Sequence, residues 1–222
     1  MLQTPREDYN VVIDLDRTLF DTDRFIHDIA VILETRFDVV NADRFISNVG
    51  DYYVQTGENL RTYDFFRHIE SLGLDADEVE THLETVFFEE PEDTRNTYLY
   101  DDAPRFIEFL RSEANIHDIK VLTYGEERMQ KLKLRLAATV LKDIECVIIQ
   151  EPKGPYLAFL YSEGQKGIVV DDKYISDLPE DFIQVQVNRN NKTIEDDQYQ
   201  SLDTITVHWH KENILGQLGL AA

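Results

Sequence analysis

Two rhythms of apolar residues run along the chain. Four short runs rich in valine and isoleucine, "VVIDLD" (11–16), "IKVLTYG" (119–125), "ECVIIQ" (145–150) and "GIVVDD" (167–172), place apolar residues on consecutive positions. Strands of a parallel sheet covered by helices on both faces have this pattern. "FIQVQVN" (182–188) and "TITVHW" (204–209) alternate apolar with polar residues, which predicts strands nearer the sheet edge. Between the runs lie segments with helical spacing. "DDAPRFIEFLRSEA" puts Phe106, Ile107 and Leu110 on one face, behind a capping aspartate and with Pro104 in the first turn. "EERMQKLKLRLAA" repeats the pattern with Met129, Leu132 and Leu136. From residue 98 onward the strand-helix alternation predicts a doubly wound, Rossmann-like α/β core with a parallel sheet.

Residues 22–96 break that alternation. "DRFIHDIAVILETRF", "ADRFISNVGDYYVQT", "LRTYDFFRHIESLG" and "ADEVETHLETVFFEE" are amphipathic at helical spacing, and no strand stands out among them. The chain is therefore expected to divide into an α/β core of residues 1–21 and 97–222 and an inserted helical domain of residues 22–96. The aromatic residues of the insertion (Tyr52, Tyr53, Phe65, Phe66, Phe87, Phe88) are expected mostly in its own core, a minority facing a ligand. The polar, aperiodic stretch 188–200 reads as a solvated loop.

Composition narrows the partners. With 222 residues and 42% hydrophobic content, the chain can bury a full core. A formal net charge of -22 sets up a field that repels phosphate backbones and anionic lipid, so neither nucleic acid nor membrane is an expected partner. No apolar run is long enough to span a bilayer and "MLQTPREDYN" has no signal-like apolar stretch, so a cytoplasmic protein is expected. The single cysteine, Cys146, lies in an apolar run and reads as a small buried hydrophobe. His208 and His210 flank Trp209 without a third ligand and read as an edge-strand surface.

In an open parallel sheet, ligands bind beyond the carboxyl ends of the strands. The polar residues there are Asp14 and Asp16 after the first run, Thr123 after the second, Lys153 shortly beyond the third, and Asp171 and Asp172 after the fourth. Carboxylates brought together raise one another's pKa unless a cation sits among them, and an all-oxygen site with room for water favours magnesium, Mg2+. A lysine and a hydroxyl beside such a site can hold an anion that the metal also touches. Together these groups are an apparatus for phosphoryl transfer, with a spare carboxylate free to act as nucleophile and form an aspartyl-phosphate.

These residues, in this order, resemble the haloacid dehalogenase superfamily of hydrolases, in its phosphatase branch. "DLDRT" is similar to the first motif, DxDxT after an apolar strand. "VLTYG" is similar to the second, "EPKG" supplies the lysine of the third, and "IVVDDKYISD" is similar to the fourth. The resemblance covers about residues 8–190, and the insertion resembles the helical cap found between the first and second motifs of many members. It implies that Asp14 is nucleophile and magnesium ligand, and that Asp16 is general acid/base and binds the metal through its backbone carbonyl. It further implies that Thr123 and Lys153 hold the phosphoryl group, that Asp171 and Asp172 complete the metal site, and that Asp177 lies just outside it. An acid at position 16 favours phosphate over carbon-halogen chemistry.

Three positions keep alternatives. Arg17 stands where the family most often has glycine, and its guanidinium can face substrate, cap or solvent. Tyr124 and Gly125 can offer backbone N–H groups to a phosphate, while the Thr123 hydroxyl can instead cap the next helix. Lys166 competes with Lys153 for the lysine role, which the motif spacing gives to Lys153. The expected function is magnesium-dependent hydrolysis of a small phosphorylated metabolite. A phosphomutase or a non-catalytic signalling module on the same fold are the alternatives, and oligomeric state is open.

Overall fold

The structure, a computed structural model, describes residues 9–56, 61–91, 97–189, 198–199, 201–203 and 205. Strand β1 (Tyr9–Ile13) is followed by helices α1 (Thr22–Arg36) and α2 (Ala42–Asn48) and a short 3-10 turn (Val49–Tyr52). Then come strands β2 (Tyr53–Gln55) and β3 (Arg61–Tyr63) and helices α3 (Phe65–Ser71) and α4 (Ala76–Phe88). The remainder alternates: α5 (Ala103–Ser112), β4 (Ile116–Tyr124), α6 (Glu127–Leu136), β5 (Glu145–Ile149), α7 (Lys153–Leu160), β6 (Lys166–Asp171), β7 (Phe182–Val187) and β8 (Gln198–Tyr199).

The six strands β5-β4-β1-β6-β7-β8 form one sheet in which every pair is parallel. This is the doubly wound α/β core expected from the apolar runs. β1 is central and fully buried, because its side chains meet packing on both faces of the sheet. Val11 and Ile13 join one cluster, with Phe106, Ile107, Leu110, Met129, Leu132 and Leu136 of α5 and α6. Val12 joins a second on the opposite face, with Leu157 of α7 and Phe182. Cys146 is half-buried and burial raises its pKa to about 11, in keeping with a small hydrophobe.

The segment between β1 and α5 departs from the expectation of an all-helical insertion. It contains the antiparallel pair β2-β3, with Tyr53 opposite Tyr63 and Gln55 opposite Arg61. Strands of three residues complete barely one alternation, too little to register as a period against the flanking helical spacing. Most of its aromatics fill its interior, where Phe45 and Tyr52 stack on either side of His68 with centroids 4.1 and 4.0 Å away. The insertion docks on α6 through two arginines: Arg128 packs over Phe66 and pairs with Asp77 and Glu80, and Arg135 packs over Phe88 and pairs with Glu84.

His68 is 1% exposed, with Nδ1 bonded to the Tyr63 hydroxyl and Nε2 unpartnered. Burial lowers its pKa from 6.5 to about 4. Between those values the unfolded chain binds the extra proton, so the contribution of neutral His68 is whole above pH 6.5 and lost as pH falls through 4. The difference in unfolding free energy between the wild-type chain and a His68→Phe variant is expected to fall by ~3 kcal/mol over that window. Denaturant unfolding at pH 7 and pH 4 measures it, and a difference that stays flat contradicts the assignment.

Two further expectations are corrected. Asp102 occupies the position before α5 but makes no capping bond. Its carboxylate instead accepts from Arg189 Nη1 and Nη2 at 2.7 and 2.9 Å and from the Leu202 backbone N–H at 2.9 Å. A buried arginine fork satisfies a carboxylate better than one helix N–H. Arg189 belongs to the run expected to be a solvated loop, of which Gln198 and Tyr199 pair with β7 as β8. The rest of that run after Arg189 and the candidate strand 204–209 with His208 and His210 lie outside the described residues, Ile205 excepted, which is helical and buried. No helix among the described residues is long and apolar enough to cross a membrane.

Candidate active site

The nominated residues other than Lys166 lie at the carboxyl edge of the sheet, where β1, β4 and β6 end and α7 begins. Apolar β1 is hydrogen-bonded on both sides, and the Asp14 N–H continues the ladder by bonding to Val170 O at 2.8 Å. The chain then leaves the sheet in a tight turn in which the N–H groups of Thr18, Leu19 and Phe20 all bond to Leu15 O. The turn aims Asp14 and Asp16 into a cavity of about 620 Å3, whose walls come from both the sheet edge and the insertion. Tyr53, Arg61 and Tyr63 line it from the β2-β3 pair, and Ile26, Ile46 and Val49 from its helical part.

Lys153, the first residue of α7, bridges two acids. Its ammonium bonds to Asp14 Oδ1 and lies 2.6 Å from Asp171 Oδ2. Lys166 lies at the opposite end of the sheet, as the first residue of β6, so geometry favours Lys153. Gly154 is the residue that lets α7 come so close: a Cβ there would stand 2.3 Å from the Asp177 backbone oxygen. Asp177 itself lines the cavity and accepts from Ser176 Oγ at 3.0 Å.

Carboxylate oxygens of Asp14, Asp171 and Asp172 lie within 4.8 Å of one another. Burial pushes the Asp14 pKa well above its ordinary 3.8; Lys153 opposes the rise, and Asp171 and Asp172 add to it. Burial likewise moves Asp172 up to about 6, with Asp171 contributing and Lys173 opposing. Burial alone would lower the Lys153 pKa, but Asp14 and Asp171 more than offset it and hold the ammonium charged. Three acids against one lysine leave negative charge uncompensated in a buried, all-oxygen pocket. This donor set fits a hard divalent cation such as magnesium.

Asp16 sits in a different environment. Its Oδ1 accepts from Lys133 Nζ at 2.5 Å and from the Thr22 hydroxyl, and its Oδ2 from Gln130 Nε2 at 2.8 Å. Burial pushes its pKa up, but Lys133 and these hydrogen bonds prevail and lower it to about 2. Two aspartates one residue apart are thus driven in opposite directions, the usual sign of divided acid/base roles. Thr22, Gln130 and Lys133 were not anticipated from the sequence. The signal for the last two was weak: in "MQKLKLRL" cations alternate at 131, 133 and 135 and look uniformly solvated.

Thr123 is buried and donates to Gln130 Oε1 at 3.1 Å, so its hydroxyl does not cap α6. Glu126 does, accepting from the N–H groups of Arg128 and Met129 at 3.0 and 2.9 Å. Tyr124 lines the cavity and its hydroxyl bonds to that of Thr56. Gly125 offers its carbonyl to Gln150 Nε2 at 2.9 Å.

Arg17 has φ of +59°, in the left-handed region where glycine is at ease. That conformation is the physical reason a glycine suits the position. Its side chain lines the cavity and bonds to Asp23 Oδ1 in the first turn of α1, at 2.7 Å from Nη2 and 3.2 Å from Nε. Arg17 therefore faces the insertion rather than stacking on open surface.

No protein-family model matches the chain, and no curated protein sequence matches it. Solved structures do. A protein from Burkholderia xenovorans assigned as a haloacid dehalogenase-like hydrolase superposes with a TM-score of 0.61 at 14% identity, over 90% of this chain and 96% of that one. One from Thermotoga maritima, assigned as a beta-phosphoglucomutase, gives 0.56 at 14% identity, covering 91% and 99%. YfnB of Bacillus subtilis, assigned as a HAD hydrolase and solved bound to magnesium, gives 0.54 at 14% identity, covering 92% and 99%. The chain has the fold of the haloacid dehalogenase-like hydrolases.

Proposed function

We propose that the protein is a magnesium-dependent phosphohydrolase of the haloacid dehalogenase type, acting on a small phosphorylated metabolite, with residues 22–96 as its cap. The observation that carries this reading is the convergence of Asp14, Asp16, Lys153, Asp171 and Asp172 at one cavity, with the Lys153 ammonium between Asp14 and Asp171. The magnesium-bound neighbour supports the choice of metal at the level of the fold.

The phosphoryl group lies against the Lys153 ammonium, which neutralises and orients its oxygens, while the role that the resemblance gives Thr123 requires its buried hydroxyl to turn from Gln130 Oε1. Asp14 attacks phosphorus in line, a carboxylate oxygen-phosphorus bond forms, and the bond to the leaving oxygen breaks. Asp16 hands a proton to that oxygen. The carboxylate is ionised at rest, so this proton arrives with the ester, whose second ionisation lies near pH 6. In the second step Asp16 takes a proton from a water that attacks phosphorus, releasing inorganic phosphate and restoring Asp14. Asp14, Asp171, Asp172 and the Asp16 backbone carbonyl would hold the magnesium ion, which would supply charge neutralisation on the phosphoryl oxygens. The insertion closes the cavity against bulk water, and Tyr53, Arg61 and Tyr63 face the leaving group.

Phosphate release from an aryl phosphate and a panel of phosphorylated metabolites tests the reading. Release is expected with magnesium and is expected to fall at least ~10²-fold when the metal is chelated. Activity indifferent to chelation, or none on any ester, contradicts it. The phosphomutase alternative is scored in the same assay as substrate consumed without release of phosphate.

A further inference from the structure

The side chains that hold Asp16 belong to none of the four motifs. Gln130 and Lys133 lie one turn apart on α6, so both reach the same side of the helix. They are 4% and 5% exposed, amid the apolar Met129, Leu132 and Leu136. A buried amide and a buried ammonium are costly unless every polar atom finds a partner, and apolar residues of similar size are often at least as stabilising. Fold stability alone therefore gives little reason for either residue. Their partners are specific: Lys133 Nζ meets Asp16 Oδ1, while Gln130 spans from Asp16 Oδ2 through its Nε2 to the Thr123 hydroxyl through its Oε1. Gly125 leaves space for that bridge, because a Cβ there would stand 2.5 Å from Gln130 Nε2. Both oxygens of one carboxylate are pinned, and one of the pins also holds the buried Thr123 hydroxyl at the end of β4.

We propose that Gln130 and Lys133 are positioning residues for the proton-transfer step: they fix the Asp16 carboxylate over the leaving oxygen and lock it to Thr123. The inference rests on the phosphohydrolase reading and deepens it. Misplacement of a reacting group by about 1 Å costs on the order of 10²-fold in rate, and the loss falls where proton donation matters. A p-nitrophenolate leaves without help, whereas an alkoxide needs the proton.

The test compares Lys133→Met and Gln130→Leu with the wild-type chain on p-nitrophenyl phosphate and on an alkyl phosphate, with folding checked by circular dichroism and thermal midpoint. Expected is a ~10²-fold drop in kcat on the alkyl ester, a drop below ~5-fold on the nitrophenyl ester, and KM within ~3-fold on both. Adding Lys133→Met to Asp16→Asn is expected to cost almost nothing further on the alkyl ester, since the residues act as a unit. Equal losses on both esters, a change in KM alone, or additive losses in the double variant overturn the proposal. So does loss of the folded state in both variants, because it assigns the pair to the scaffold. A wild-type chain that turns over no ester overturns the phosphohydrolase reading and this inference with it; an active wild type whose variants lose equally on both esters overturns the inference alone.

Discussion

Asp14→Asn is expected to lower kcat for phosphate release by at least ~10⁴-fold, the scale on which nucleophile removal acts in covalent catalysis. The asparagine keeps the shape and one acceptor oxygen, so the turn through Leu15 and the bond from the Asp14 backbone N–H to Val170 O have no reason to change. Stability should move the other way. Burial raises the Asp14 pKa and Asp171 and Asp172 add to the rise, while Lys153 keeps Asp171 as a partner after the substitution. Relief of about 1 kcal/mol would raise the thermal midpoint of the metal-free protein by ~2–4 °C. An inactive variant with an unchanged or higher midpoint places Asp14 in chemistry rather than scaffold. A variant within tenfold of wild type contradicts the nucleophile assignment.

Lys153→Met separates the same roles from the opposite direction. Removing the cation that bridges them leaves Asp14, Asp171 and Asp172 facing one another, and breaking a buried pair in this way costs ~3–5 kcal/mol. The metal-free variant should melt ~6–20 °C lower than wild type and lose most of its activity. Millimolar magnesium should raise its midpoint more than it raises that of wild type, since the cluster has gained net negative charge. Sodium chloride at matched ionic strength should not reproduce that difference, because screening acts weakly on buried pairs. Thermal denaturation with chelator, magnesium and salt checks all three arms without any substrate. Equal magnesium shifts in variant and wild type would contradict a metal site at these carboxylates.

Much of the site was legible because its parts are short and local. A strand apolar on both faces shows in five or six residues, and acids immediately after it must leave the sheet at its carboxyl edge. Asp14, Asp16, Asp171 and Asp172 were therefore placed from the sequence, and the structure brings them to one cavity, with Thr123 buried behind it against Gln130. Arg17 was visible as an oddity. Its cause, a left-handed φ, and its partner, Asp23, were not, because backbone conformation in a tight turn depends on the strand and helix it connects.

What stayed hidden depends on distance along the chain. Asp102 reads locally as a helix cap, and only the arrival of Arg189, 87 residues later, turns it into half of a buried pair. The β2-β3 pair is too short to carry a period of its own. Lys133 differs from Lys131 in nothing local; the docking of α6 on the sheet sends one to Asp16 and leaves the other with Glu127 at the surface.

The sequence by itself determined the α/β core, the positions of its apolar strands along the chain and the acids at their ends, because hydrophobic periodicity and strand termini are local properties. Only the tertiary structure decided which lysines reach those acids, why the paired aspartates titrate in opposite directions, and which walls enclose the cavity. Those outcomes depend on side chains far apart in sequence meeting in a buried, weakly screened interior, where position sets the energy.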